Sequence, residues 1–186
     1  MEGTAGQIPW CWGATADEVA AAYPCDRHLP PSRSVWRAVE VAAPPEVAFR
    51  WLCQLRVAPY SYDWIDNHGR RSPRALTPGA DRLAVGQRVM TVFRLVEFEP
   101  GEHLTLRIDA RGTRLFGDMA VTYAVRRGVA GSRLVVKLNL GCRQPVAHAL
   151  LAWGDLVMMR RQLCTLRDLA EGQAGGRNAS AAGAPR

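Results

Sequence analysis

Lysine is almost missing from this 186-residue chain: Lys137 stands alone, so the formal charge of +7 is carried by arginine. The arginines are scattered singly or in pairs, and with the heavy Ala, Gly and Pro usage they read as compositional bias and a solvated basic surface. No segment masses positive charge, so nucleic-acid binding is not expected. Paired cysteines are missing too. Cys11, Cys25, Cys53, Cys142 and Cys164 are odd in number and far apart, without a CxxC pair, which argues against a disulfide scaffold or a zinc ribbon. The opening MEGTAGQIPWCWG has no basic segment followed by an apolar one, so no secretory leader is expected and the chain is assigned to a reducing cytoplasm. The most apolar run, residues 145–159, is too short to span a bilayer and carries Asp155. GxSxG, a glycine-rich phosphate loop, HxH and HExxH are all missing, so neither a metal nor a cofactor is expected.

What remains is an ordinary globular composition, 48% hydrophobic, long enough for one domain with a real core. Residues 1–33 read as an N-terminal arm. Within it Thr15 and Glu18 form a capping box for a helix over 16–23, and CDRHLPPSR reads as an extended connection. SVWRAVEVA, 34–42, alternates as a strand, with Val35, Arg37, Val39 and Val41 opposed to Trp36, Ala38 and Glu40. Pro44 and Pro45 open an amphipathic helix to about Arg56. Strands follow over 88–99, with a break near Arg94, then 103–110, 117–127 and 132–141, separated by PG, RG and RRGVAG turns as in an antiparallel meander. Alternation puts Leu104, Leu106 and Ile108, then Met119, Val121, Tyr123 and Val125, then Leu134, Val136, Leu138 and Leu140 on one face. Residues 145–171 form the longest helical pattern, with Trp153 on its broad apolar face, and 172–186 read as a disordered tail. The domain proper is 34–171, and its class is α+β.

Between the first helix and the meander lies YSYDWIDNHGRRSP, 60–73, too aromatic for a plain loop and too charged for core. With WGATADEV (12–19), PCD (24–26), APPEVAFRWLCQL (43–55) and VGQ (85–87), it resembles the START-like, SRPBCC helix-grip superfamily, which includes polyketide cyclases and aromatases, and within it a bacterial branch. Two departures fall in loops: PCD where PGD is the expected form, and RVAPY in place of a glycine-rich turn. The resemblance implies a curved antiparallel sheet wrapped around a long C-terminal helix, with short helices after the first strand and a cavity between sheet and helix.

Placed in that layout, Tyr60, Tyr62 and Trp64 line the mouth of the cavity, and Met119, Tyr123 and Trp153 line its interior. Asp63, Asp66, Arg70 and Arg71 either contact a ligand or fix the loop, and Asn67 to Gly69 form a turn. Tyr123 is the inward residue with a polar tip, and with His103 and His148 it is a weak candidate for proton transfer. The leading reading is binding of a small apolar or aromatic molecule; the alternatives are a polyketide cyclase or dehydratase working in the same cavity, and a protein interaction module.

Overall fold

The computed structural model describes residues 7–62, 64, 69–141 and 145–182. In chain order they form β1 (Cys11–Trp12), α1 (Ala16–Ala20), α2 (Cys25–His28), β2 (Arg33–Val41), α3 (Pro45–Cys53), β3 (Arg88–Val89), β4 (Phe93–Glu99), β5 (His103–Ile108), α4 (Ala110–Phe116), β6 (Met119–Gly128), β7 (Gly131–Leu140) and α5 (Pro145–Ala182). The strands make one curved sheet ordered β1-β2-β7-β6-β5-β4-β3, antiparallel except for the β1–β2 pair. Among the described residues no helix is long and apolar enough to cross a membrane.

Alternation along the strands sorts the sheet into two unlike faces. The inner face carries Val35, Val39, Val41, Leu104, Leu106, Ile108, Met119, Val121, Tyr123, Val125, Leu134, Val136, Leu138 and Leu140. It packs with α3 and with Ala152, Met159, Leu163, Leu166 and Ala170 of α5 into one core. All three sets of strand residues expected on one face are there. The outer face is built for a polar cover. The arm lies on it, with Tyr23 and Cys25 packed against Ala38, Ala120, Ala124 and Val135. The Cys25 amide donates to Thr122 Oγ1 at 2.9 Å, and Asp26 accepts from Lys137 Nζ at 2.8 Å and from Asn139 Nδ2 at 2.8 Å. Glu18, N3 of the capping box on α1, also takes Arg133 Nε at 2.5 Å, and Arg133 Nη1 reaches Glu40 at 2.9 Å. Gly13 runs so close over β2 that a Cβ there would meet the Ala38 carbonyl oxygen at 2.2 Å, at a φ of +77°.

Several local expectations are corrected. Residues Cys25–His28 form a helical turn, because the Asp26 carboxylate accepts from the Tyr23 amide and folds the chain back. The RG pair at 111–112 lies inside α4, which Asp109 starts by accepting from the amides of Arg111 and Gly112. The long strand expected over 88–99 is interrupted at residues 90–92, where Met90 takes φ +53°, so the break precedes Arg94. The last helix continues past residue 171 to Ala182. The Trp51 indole donates to Gln173 at 2.8 Å, the Ala42 amide donates to Glu171 at 2.8 Å, and Ala174 is buried, so the first residues assigned to a tail are docked on the core.

The arm is thus fastened by carboxylates. Hydrogen bonds from Asn139 and Lys137 hold the Asp26 carboxyl below its usual 3.8 despite partial burial. Its contribution is therefore full above 3.8 and is lost as pH falls through the lower folded value. Asp26→Ala is expected to cost about 1–3 kcal/mol at neutral pH, because Lys137 and Asn139 lose their acceptor. Urea unfolding at a series of pH values checks this: the gap between wild type and variant should close under acid.

Candidate functional site

The inner face of α5 is not uniformly apolar. His148, Asp155 and Gln162 recur every seven residues among its buried alanines, leucines and Met159, roughly 10 Å apart along the axis. Each is two helical turns from the next, so all three face the sheet. Arg37, on the inner face of β2 and only 1% exposed, answers them. Its Nη2 lies 2.8 Å from Asp155 Oδ2 and donates to the Ala152 carbonyl at 3.1 Å, while Nη1 donates to the Trp36 carbonyl at 2.9 Å. The contact with Asp155 is an ion pair. Asp155 Oδ2, Arg37 Nε and the buried His148 Nε2 have no well-formed hydrogen-bond partner among the described residues.

Burial dominates the electrostatics of this pair. Loss of water pushes the Asp155 carboxyl up to about 6, against the opposing pull of Arg37, and pulls the Arg37 guanidinium below its usual value. Both shifts oppose ionisation, as expected where desolvation exceeds the mutual attraction of two charges in an apolar interior. Tyr123 is fully buried on β6. Its hydroxyl donates to Gln162 Oε1 at 2.8 Å, and Gln162 Nε2 donates to the Pro59 carbonyl at 2.5 Å. Burial, and then the Asp155 charge, drive the phenol well above the ordinary range. With its proton committed to Gln162, Tyr123 acts here as a tie between sheet and helix, which makes it a poor proton donor.

The remaining candidate residues are spread over the molecule. Met119 is buried beside the Tyr123 layer. Tyr60 is buried, with φ +58°, and its ring meets Trp51 edge-on at 6.3 Å. Tyr62 is half-buried, and Trp64 is 76% exposed. Trp153, expected inside, is 52% exposed on an outward row with Val146, Leu150 and Val157, so it does not face Tyr123. His103 lies on the outer face of β5, 3.8 Å from Glu97, in a groove with Tyr23 and Thr122. The sheet separates it from Tyr123 and His148. Asp63, Asp66, Asn67 and His68 lie outside the described residues. No group of three or more His, Cys, Asp and Glu among the described residues is placed to hold a metal ion.

Arg37, Asp155 and Gln162 were not singled out from the sequence. The available signals were a single arginine alternating with valines in β2 and a seven-residue spacing of polar residues through an otherwise apolar helix. If the pair is held at a cost, Asp155→Leu alone should destabilise the protein by about 3–5 kcal/mol, by stranding a buried guanidinium. Arg37→Met/Asp155→Leu should return to within about 1 kcal/mol of wild type. Urea denaturation of the three proteins measures both.

No family model matches the chain, and no curated protein matches it in sequence. Solved structures do. Protein MLL2253 from Mesorhizobium loti is 18% identical, with a TM-score of 0.50 over 74% of this chain and 96% of its own. The di-domain ARO/CYC protein StfQ from the steffimycin biosynthetic pathway is 15% identical, with a TM-score of 0.45 over 78% of this chain and 52% of its own. DynU16, a putative protein of the dynemicin biosynthetic locus, is 16% identical, with a TM-score of 0.44 over 76% and 49%. At these identities the likeness is one of fold, and the fold of this chain is the helix-grip: a curved sheet closed around a long C-terminal helix.

Proposed function

We propose that the protein binds a small apolar or aromatic molecule between the sheet and α5, with Arg37, Asp155 and His148 meeting the molecule's polar end. The observation that carries this reading is unmet hydrogen-bonding capacity inside the core. Arg37 Nε, Asp155 Oδ2 and His148 Nε2 are buried without well-formed partners among the described residues. Buried polar atoms are nearly always satisfied, and a ligand carbonyl or hydroxyl would satisfy these. The surrounding wall is adaptable. Met119 and Met159 are buried in the same core, and Met90 packs against it with its sulfur 3.5 Å from Gln162 Nε2. Unbranched thioethers re-pack around a guest at small cost. The Tyr123–Gln162 tie bridges sheet and helix, so a guest would part the packed core beside that tie, toward Asp155 and His148. Burial of the guest's apolar surface would supply the affinity, roughly 25 cal/mol per Å², with the polar groups setting its orientation.

One observation favours a second reading, an enzyme of cyclase or dehydratase type in the same space. A buried carboxyl pushed up to about 6 is matched to proton transfer near neutral pH. In that reading Asp155 carries the proton, Arg37 stabilises developing negative charge on the substrate, and Tyr123 only holds the wall.

Native mass spectrometry of the freshly purified full chain tests the binding reading. The expected result is a retained small molecule, lost in Arg37→Met/Asp155→Leu while that variant stays folded. An empty chain that also gives no thermal shift with a panel of apolar and aromatic compounds would contradict it. The two readings part at Asp155→Asn: a binder keeps its ligand and shows no turnover in either form, whereas an enzyme keeps the ligand and loses turnover at least 100-fold, on the order expected for general acid–base groups.

A further inference from the structure

Residues 60–61 and 71–74 and the C-terminal half of α5 border a hollow of about 450 Å³, separate from the interior polar groups and lined by Tyr60, Arg71, Arg74, Arg161, Thr165 and Asp168. Several arginines elsewhere are occupied: Arg27 with Glu97, Arg107 with Asp118, Arg133 with Glu18 and Glu40, and Arg56 with the carbonyls of Gly79 and Arg82. Arg71, Arg74 and Arg161 line this one concavity, and their guanidinium groups make no ion pair or hydrogen bond among the described residues. Asp168, the acid in the lining, is engaged by Arg167 through Nε at 2.9 Å and Nη2 at 2.8 Å. Three cations beside one acid already engaged by Arg167 leave the hollow with net positive charge, which a multiply charged oxyanion would offset.

We propose that this hollow binds the phosphoryl group of a small phosphorylated compound, with Arg71, Arg74 and Arg161 as its ligands. Three planar forks from two different elements suit the several oxygens of a phosphate, each able to take two parallel N–H···O bonds. The volume exceeds that of a phosphate, and buried Tyr60 in the lining offers an apolar wall for the organic part of the compound. The site stands independently of the interior reading, because none of its arginines touches the Arg37–Asp155 pair.

Isothermal titration of the full chain with inorganic phosphate and with phenyl phosphate tests the assignment. Saturable binding of both is expected, tighter for phenyl phosphate and weakening as salt is raised. Arg71→Gln and Arg161→Gln should each weaken it about ten- to a hundredfold, the range for a lost hydrogen bond to a charged group. Arg114→Gln, an exposed arginine on α4, should leave it unchanged, with circular dichroism confirming that every variant is folded. Free phosphate binding as tightly as the ester would assign the site to the inorganic ion and overturn the organic-phosphate part. Absence of saturable binding, equal binding by the Arg71 and Arg161 variants, or equal loss in Arg114→Gln would overturn the site altogether.

Discussion

Two ions held out of water between a sheet and a helix set the terms for everything else in this interior. Arg37 projects from β2 and Asp155 from α5, and each approaches the other because neither has solvent to turn to. Withdrawing a carboxylate and a guanidinium from water costs several kcal/mol apiece, and a single 2.8 Å contact does not return it in full. Leucine and methionine of similar volume would close the same gap more cheaply. The apolar core around the pair, assembled from strands β2 and β4–β7, from α3 and from the buried face of α5, is what makes the charges expensive and also what keeps them paired.

The two faces of the sheet divide the labour. The outer face carries Lys137, Asn139, Thr122 and Arg133, and the arm satisfies them with Asp26, the Cys25 amide and Glu18. That network is nearly complete and reads as fastening. The inner side is mostly hydrocarbon; there Tyr123 and Gln162 are satisfied, while Arg37 Nε, Asp155 Oδ2 and His148 Nε2 are left without well-formed partners among the described residues, as Trp36 Nε1 and His103 Nε2 are on the outer face. A buried polar group is normally satisfied, as most of those under the arm are. The clustering of three such atoms around Arg37 and the buried face of α5 is what supports the proposed binding site inside the grip. The arginine-lined hollow at the rim is a separate charge imbalance, on the surface and open to solvent.

Much of this was legible in the sequence, and the limits are instructive. A period of two is unambiguous over ten residues, so Tyr123 and Met119 could be put on the inner face and Arg37 among the valines. The Thr15–Glu18 box marked the start of α1, and both of its reciprocal bonds form. What local pattern could not supply was partnership. Arg37 and Asp155 are far apart in the chain, and neither position advertises the other. Trp153 went astray because α5 carries two apolar rows. Val146, Leu150, Trp153 and Val157 hold the larger side chains but face outward, while the buried row begins with small Ala152 and is completed by Met159 and Leu163. Bulk pointed to the wrong side, since the close approach of Arg37 to the helix backbone at Ala152 requires a small residue there. The helix α4 was hidden by a glycine at 112 that reads as a turn, although Asp109 is a sound N-cap.

The account depends on the interior being dry enough to unsettle an acid. The most direct measurement is the titration of the Asp155 side-chain carboxyl carbon, followed by ¹³C NMR in selectively labelled protein. A midpoint near 6 would match burial beside an incompletely compensating arginine. A midpoint at or under the ordinary 3.8 would mean that water or a strong Arg37 bond already satisfies the carboxylate, and the interior would have no unmet polar capacity at Asp155 to offer a ligand.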